Sequence, residues 1–126
     1  MAGVELSTRV CDGQVVVALC GEMDYVYAAD AEAAIAALTA RGQSLIIDMS
    51  ALDFMDCSSL SVLLRVQRLA RQADGDMVLA APQRQPRRLL ALTGQDDVFC
   101  VHPSVQAAVA SIGSAPELGT LSGALR

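Results

Sequence analysis

Four consecutive residues, Asp56-Cys57-Ser58-Ser59, put a carboxylate, a thiol and two hydroxyls between an apolar run and a helical pattern. Side chains of these types at the junction of a strand and a helix support three kinds of chemistry. One is a nucleophile held at a sharp turn beside a carboxylate. The second is a hydroxyl that accepts a phosphoryl group. The third is simply an N-cap, in which Asp56, Cys57 or Ser58 satisfies the free amides of the helix.

The nucleophile reading needs a base, and the sequence offers little. The single histidine, His102, lies far along the chain, and no G-x-S-x-G, P-loop or G-x-G-x-x-G segment is present. We therefore expect a protein that is not an enzyme and needs no cofactor. Four cysteines, Cys11, Cys20, Cys57 and Cys100, are dispersed without a C-x-x-C pair, so a zinc site is not expected. They are expected to be buried thiols serving as small apolar residues. Six of the nine arginines fall between Arg65 and Arg88, the others in that stretch being Arg68, Arg71, Arg84 and Arg87. With a net charge of −5 and few aromatics, this stretch fits a solvated face or an acidic protein partner better than nucleic acid.

The elements that position these groups follow from periodicity. Residues 4–11 and 14–20 flank Asp12-Gly13, a type I′ turn signal, and predict a hairpin with Cys11 opposite Gln14 and Cys20 opposite Glu5. Ala31, Ala34, Ile35 and Leu38 give a thin apolar stripe on a helix over about 26–41, stopped at Gly42. Leu45-Ile46-Ile47 reads as a buried strand ending at Asp48. A second helix over about 58–72 buries Leu60, Val62, Leu63, Leu64, Val66 and Leu69, and turns Ser58, Ser61, Arg65, Arg68 and Gln72 outward. A strand over 77–80, a helix from Pro86 to Leu92, a strand over 98–101 and a helix from Pro103 to Ile112 complete the alternation. The domain thus spans 1–112 as an α/β fold, and the stretch 113–126 is expected to be a disordered tail. No apolar run approaches the roughly 18 to 20 residues that span a bilayer, which together with the non-basic N-terminus predicts a cytosolic location.

A stripe that exposes Ser58 at a helix N-terminus also offers a seat for an anion, because free amides and the helix dipole favour negative charge there. Phosphorylation would add about −1.5 to −2 charge close to Asp56.

The segment Leu45-Ile-Ile-Asp-Met-Ser-Ala-Leu-Asp-Phe-Met-Asp-Cys-Ser-Ser-Leu-Ser-Val-Leu-Leu resembles the signature of STAS-domain anti-sigma factor antagonists. In that family an apolar strand and Asp-x-Ser lead into Phe-x-Asp-Ser-Ser-Gly-Leu-Gly. Gly21-Glu22-Met23-Asp24 is similar to the family's earlier Gly-Glu-Leu/Ile-Asp element. The resemblance covers about residues 4–112. It implies a mixed sheet of four to five strands with helices packed mainly on one face. It also implies a bacterial, cytoplasmic phosphoprotein that takes part in partner switching. The unphosphorylated form would bind an anti-sigma factor, itself a serine kinase, and so free a sigma factor for transcription. A serine phosphatase would reset the phosphorylated form. The phosphoacceptor position of the motif falls on Ser58. Asp24, Asp56, Cys57, Ser59, Ser61 and Arg65 would form the partner surface, with no membrane or nucleic-acid partner. Cys57, Ser59 and Ser61 stand where the family has Ser, Gly and Gly, so Ser59 offers a second hydroxyl beside Ser58, and phosphorylation at Ser59 or a STAS module that is not phosphorylated are the alternatives to Ser58. A STAS scaffold acting on something other than an anti-sigma factor is the alternative.

Overall fold

The computed structural model describes residues 3–118. Its elements are β1 (Val4–Cys11), β2 (Gln14–Met23), α1 (Tyr25–Thr39), β3 (Leu45–Met55), α2 (Cys57–Gln72), β4 (Met77–Ala80), α3 (Arg84–Leu92), β5 (Val101–His102) and α4 (Val105–Leu118). The strands form one five-stranded mixed sheet in the order β1-β2-β3-β4-β5, antiparallel at β1/β2 and parallel thereafter. No helix among the described residues is long and apolar enough to cross a membrane.

The hairpin has the expected turn. Asp12 and Gly13 both take positive φ, 51° and 82°, as a type I′ turn requires. The register that follows places Cys11 opposite Gln14 and Glu5 opposite Cys20. Gly21 is required by close approach as well as by its φ of 104°, since a Cβ there would lie 2.4 Å from the Gly3 carbonyl oxygen.

Alternation along the central strands divides the core into two layers. Val17, Leu19, Leu45, Ile47, Met49, Met77 and Leu79 pack beneath α1, α2 and the Leu89-Leu90 pair of α3. Val16, Ile46, Val78 and Ala80 point the other way and meet Ala108 and Val109 of α4. The central strands read as unbroken apolar runs because both of their faces are covered. Three helices thus share one face and α4 covers the other.

Several boundaries differ from the sequence expectation. β2 continues past Cys20 to Met23 through irregularities in its pairing with β3. β3 runs to Met55 rather than ending at Asp48. Its partner β4 stops at Asp48↔Ala80, and side chains replace the missing strand on that edge. Gln83 Nε2 donates to the Ser50 carbonyl (2.6 Å), while Gln85 both accepts from the Met55 amide and donates to the Met55 carbonyl, each at 2.9 Å. The expected strand at 98–101 shifts to Val101–His102. The Gln95 carbonyl accepts from the amides of Val98 and Phe99 and curls the chain there into a turn. α1 buries Ala28, Ala31, Ile35 and Thr39, so Ala34 of the expected stripe is on the outside. α4 extends to Leu118, past the Gly113 at which a stop was expected. The rest of the expected tail, 119–126, lies outside the described residues.

The thiols are a further correction. Cys20, Cys57 and Cys100 are exposed and Cys11 is half-buried. Cys57 opens α2 at its exposed N-terminus.

Candidate functional site

Two equivalent strand-to-helix junctions meet at one end of the sheet. Parallel pairing aligns Met23 of β2 with Met55 of β3, and both side chains are fully buried. The next residue in each case is an aspartate that caps a helix. Asp24 Oδ1 accepts from the Val26 amide at 3.0 Å at the start of α1. Asp56 Oδ1 accepts from the Ser59 amide at 2.9 Å at the start of α2. The register of two strands therefore brings two helix N-termini side by side.

Asp56 also joins the two junctions. Its amide donates to the Met23 carbonyl (3.2 Å) and its Oδ2 accepts from the Tyr25 amide (3.0 Å). Ser59 closes the same network from inside the molecule. Its hydroxyl donates to the Met23 carbonyl at 2.6 Å and lies 3.0 Å from Asp56 Oδ1. Ser59 is fully buried. It was expected on the partner surface and as the alternative phosphoacceptor to Ser58; in this structure its side chain is turned inward, away from the surface that Ser58 shares. The cap is Asp56, which leaves the hydroxyl of Ser58 uncommitted.

Ser58 and Cys57 are exposed and Ser61 is half-buried. Ser58, Ser61 and Arg65 follow one stripe of α2 and face Tyr25, Ala28, Ala29 and Glu32 of α1 across a shallow depression of about 360 Å³. No hydrogen-bond partner of the Ser58 side chain is found among the described residues. At the far end the Arg65 guanidinium grips Glu32 in a fork, Nε to Oε2 at 2.9 Å and Nη2 to Oε1 at 2.8 Å. The hydrogen bond from Arg65, together with its charge, holds the Glu32 carboxyl below its usual range against the opposing effect of desolvation. The same bond raises the guanidinium of Arg65. Near the junctions lie three exposed apolar side chains, Tyr25 (74% exposed), Val26 (58%) and Phe54 (39%).

The structure thus gathers Asp24, Asp56, Cys57, Ser58, Ser61 and Arg65 in one region. Sequence reading missed Glu32 and Tyr25, which enter from α1. The charge of Glu32 carried no local signal, since its partner lies 33 residues away. It also missed Gln85, which pins the end of β3 just before Asp56. On α2, Gln67 is buried and donates to the Val98 carbonyl (3.2 Å), while Leu69, placed in the buried face, is 39% exposed.

The STAS domain family model matches residues 5–108, nearly all of the mixed sheet and its helices. The chain belongs to that family. BtrV of Bordetella bronchiseptica, provisionally named an anti-sigma factor antagonist, is 28% identical over 113 residues, or 89% of this chain and 97% of that protein. The crystal structure of an anti-sigma factor antagonist from Mycobacterium paratuberculosis superposes with a TM-score of 0.79 at 29% identity, covering 88% of this chain and 95% of that one. The Bacillus cell fate determinant SpoIIAA in its phosphorylated form is similar in fold, with a TM-score of 0.66 and 22% identity over 87% of this chain and 99% of its own.

Proposed function

We propose that this chain is an anti-sigma factor antagonist whose binding is switched off by phosphorylation of Ser58. The observation that carries the reading is the division of labour at the start of α2. Asp56 supplies the cap and Ser59 the internal tie, so the exposed Ser58 hydroxyl is spare for modification. BtrV and the Mycobacterium paratuberculosis protein, similar over most of their lengths, are named for this activity.

Unphosphorylated, the depression between α1 and α2 offers a cognate anti-sigma factor a neutral hydroxyl stripe, the Arg65–Glu32 pair and the exposed ring of Tyr25. Asp24 and Asp56 shape this surface through the helix starts they fix. A phosphate on Ser58 would sit at the positive end of the α2 dipole, so the domain need not unfold to hold it. It would also bring about two negative charges into an interface fitted to a hydroxyl and already bordered by two aspartates. The anti-sigma factor is then released and binds its sigma factor. In this reading the chain acts in the cytoplasm as a substrate of the anti-sigma factor's serine kinase activity and of a serine phosphatase, and catalyses nothing itself.

Incubation with the cognate kinase and ATP, followed by fragment mass spectrometry, tests the assignment. One phosphate on Ser58 and none in Ser58→Ala is the expected result. A phosphate on Ser59, or undiminished labelling of Ser58→Ala, would overturn it.

A further inference from the structure

We propose that β1 pairs with β1 of a second copy of this chain, joining two sheets across a two-fold axis at Ser7. The inference is independent of the function proposed above. β1 is an edge strand of eight residues, paired to β2 without a bulge and carrying no Pro, and its charges are limited to Glu5 and Arg9, one of each sign.

The register within the hairpin dictates which backbone groups are available. Cys11↔Gln14 closes the two-residue turn, and the Gly3 carbonyl accepts from the Glu22 amide at 2.8 Å. The odd-numbered residues of β1 therefore bond to β2. The amides and carbonyls of Val4, Leu6, Thr8 and Val10 point outward, and no strand among the described residues meets them.

In an antiparallel pairing centred on Ser7, Glu5 of one copy stands opposite Arg9 of the other, twice over. Ser7 and these charges fall at the non-hydrogen-bonded positions, where side chains approach closest. Shifting the two-fold by one residue either way sets Glu5 against Ser7 or against Cys11 and loses both charge pairs. Among the described residues Arg9 makes a loose contact with Asp48, at 3.7 Å, and is half exposed.

The opposite face of the strand matches in the same register. Val10 is 72% exposed, an odd place for a Val on a strand that turns Val4 and Leu6 into the core. Beside Val4 lies a recess of about 180 Å³ lined by Val4, Leu6, Tyr27, Ala31 and Ala34, with Asp30 at its rim. The pairing puts Val10 of each copy beside Val4 of the other, against this recess. One register thus accounts for the charges on one face and the exposed apolar side chain on the other. An edge contact of this kind buries little surface, so we expect a dissociation constant of about 10–100 μM.

Charge reversal tests this on the full chain by sedimentation velocity. Wild type should dimerise in that range. Glu5→Arg and Arg9→Glu, each placing like charges opposite one another, should each weaken the dimer by roughly tenfold or more. The double variant Glu5→Arg/Arg9→Glu should restore it, and an equimolar mixture of the two single variants should form a heterodimer. Both positions are exposed, and circular dichroism of the single variants checks that they fold. A wild type still monomeric at about 1 mM would leave the edge to a strand of another protein and overturn the proposal. So would a dimer indifferent to the single reversals, or one that the double reversal does not restore.

Discussion

The carboxylate of Asp56 lies 3.0 Å from the amide of Tyr25, a residue 31 positions earlier and at the head of a different helix. Because the other oxygen of that carboxylate caps α2 at the Ser59 amide, one side chain fixes the starts of both helices that border the Ser58 depression. Asp56, directly before the segment that carries Ser58, thus ties α1 to α2 at the site, alongside the β2/β3 register and the bond from the Ser59 hydroxyl to the Met23 carbonyl.

Replacing Asp56 therefore costs more than one cap. Asp56→Ala should destabilise the domain by about 2–3 kcal/mol, from the lost cap and the orphaned Tyr25 amide. Thermal unfolding followed by circular dichroism should show a fall of roughly 10 °C. Asp56→Asn keeps an acceptor for Ser59 but presents an amide group to the Tyr25 N–H, and should lie between the two. A loss no larger than that of an ordinary exposed substitution would show that the second bond contributes nothing.

Gln85 makes a comparable prediction from the other side. Its amide group takes the place of a strand partner for Met55, directly before Asp56. Gln85→Ala should cost about 1–2 kcal/mol and speed hydrogen exchange at the Met55 amide selectively. Gln85→Glu retains an acceptor for the amide but opposes the Met55 carbonyl with a carboxylate, so it should not rescue the wild-type stability. Unchanged exchange at Met55 in Gln85→Ala would refute the role.

These two residues show where the sequence was legible and where it was not. The hairpin, its register and the parallel core followed from the Asp12-Gly13 turn and from runs such as Val15-Val16-Val17, since local sterics and two-sided burial decide them. The exposed stripe of α2 followed from its 3.6-residue period. What escaped reading depends on contacts between distant segments. β3 looked finished at Asp48 because Asp48, Ser50 and Asp53 interrupt its apolar run, yet it continues by pairing with β2 as far as Met23↔Met55 on one edge and through the side chains of Gln83 and Gln85 on the other. Ser59 looked like a second surface hydroxyl because it adjoins Ser58, yet one step of helical rotation turns it inward onto the Met23 carbonyl. The exposed cysteines were misjudged because average thiol burial says nothing of a particular face.

The Glu32–Arg65 pair carries a pH dependence of known sign. The folded carboxyl of Glu32 titrates below its ordinary range because Arg65 hydrogen-bonds it. Its stabilising contribution is therefore present above the unfolded pKa, about 4.3, and is lost as pH falls through the lower folded value. Both side chains face solvent, so the effect on overall stability should be small. Carboxyl-carbon NMR titration should show Glu32 returning toward its ordinary pKa in Arg65→Gln. No change in that variant would mean that the fork is not populated in solution. Arg65→Glu, which sets two carboxylates across the depression, should in addition weaken binding to the anti-sigma factor.

The central claim is that Ser58 is a switch for partner binding rather than part of the scaffold. Its most direct test is to capture partners with wild-type, Ser58→Ala and Ser58→Glu baits and titrate each against the anti-sigma factor recovered. Ser58→Ala should bind like the unphosphorylated wild type, and Ser58→Glu should bind at least about a hundredfold more weakly, as expected for a charge forced into a fitted interface. Equal affinity of all three for the same partner would contradict the account and leave Ser58 as a spare hydroxyl on a STAS scaffold.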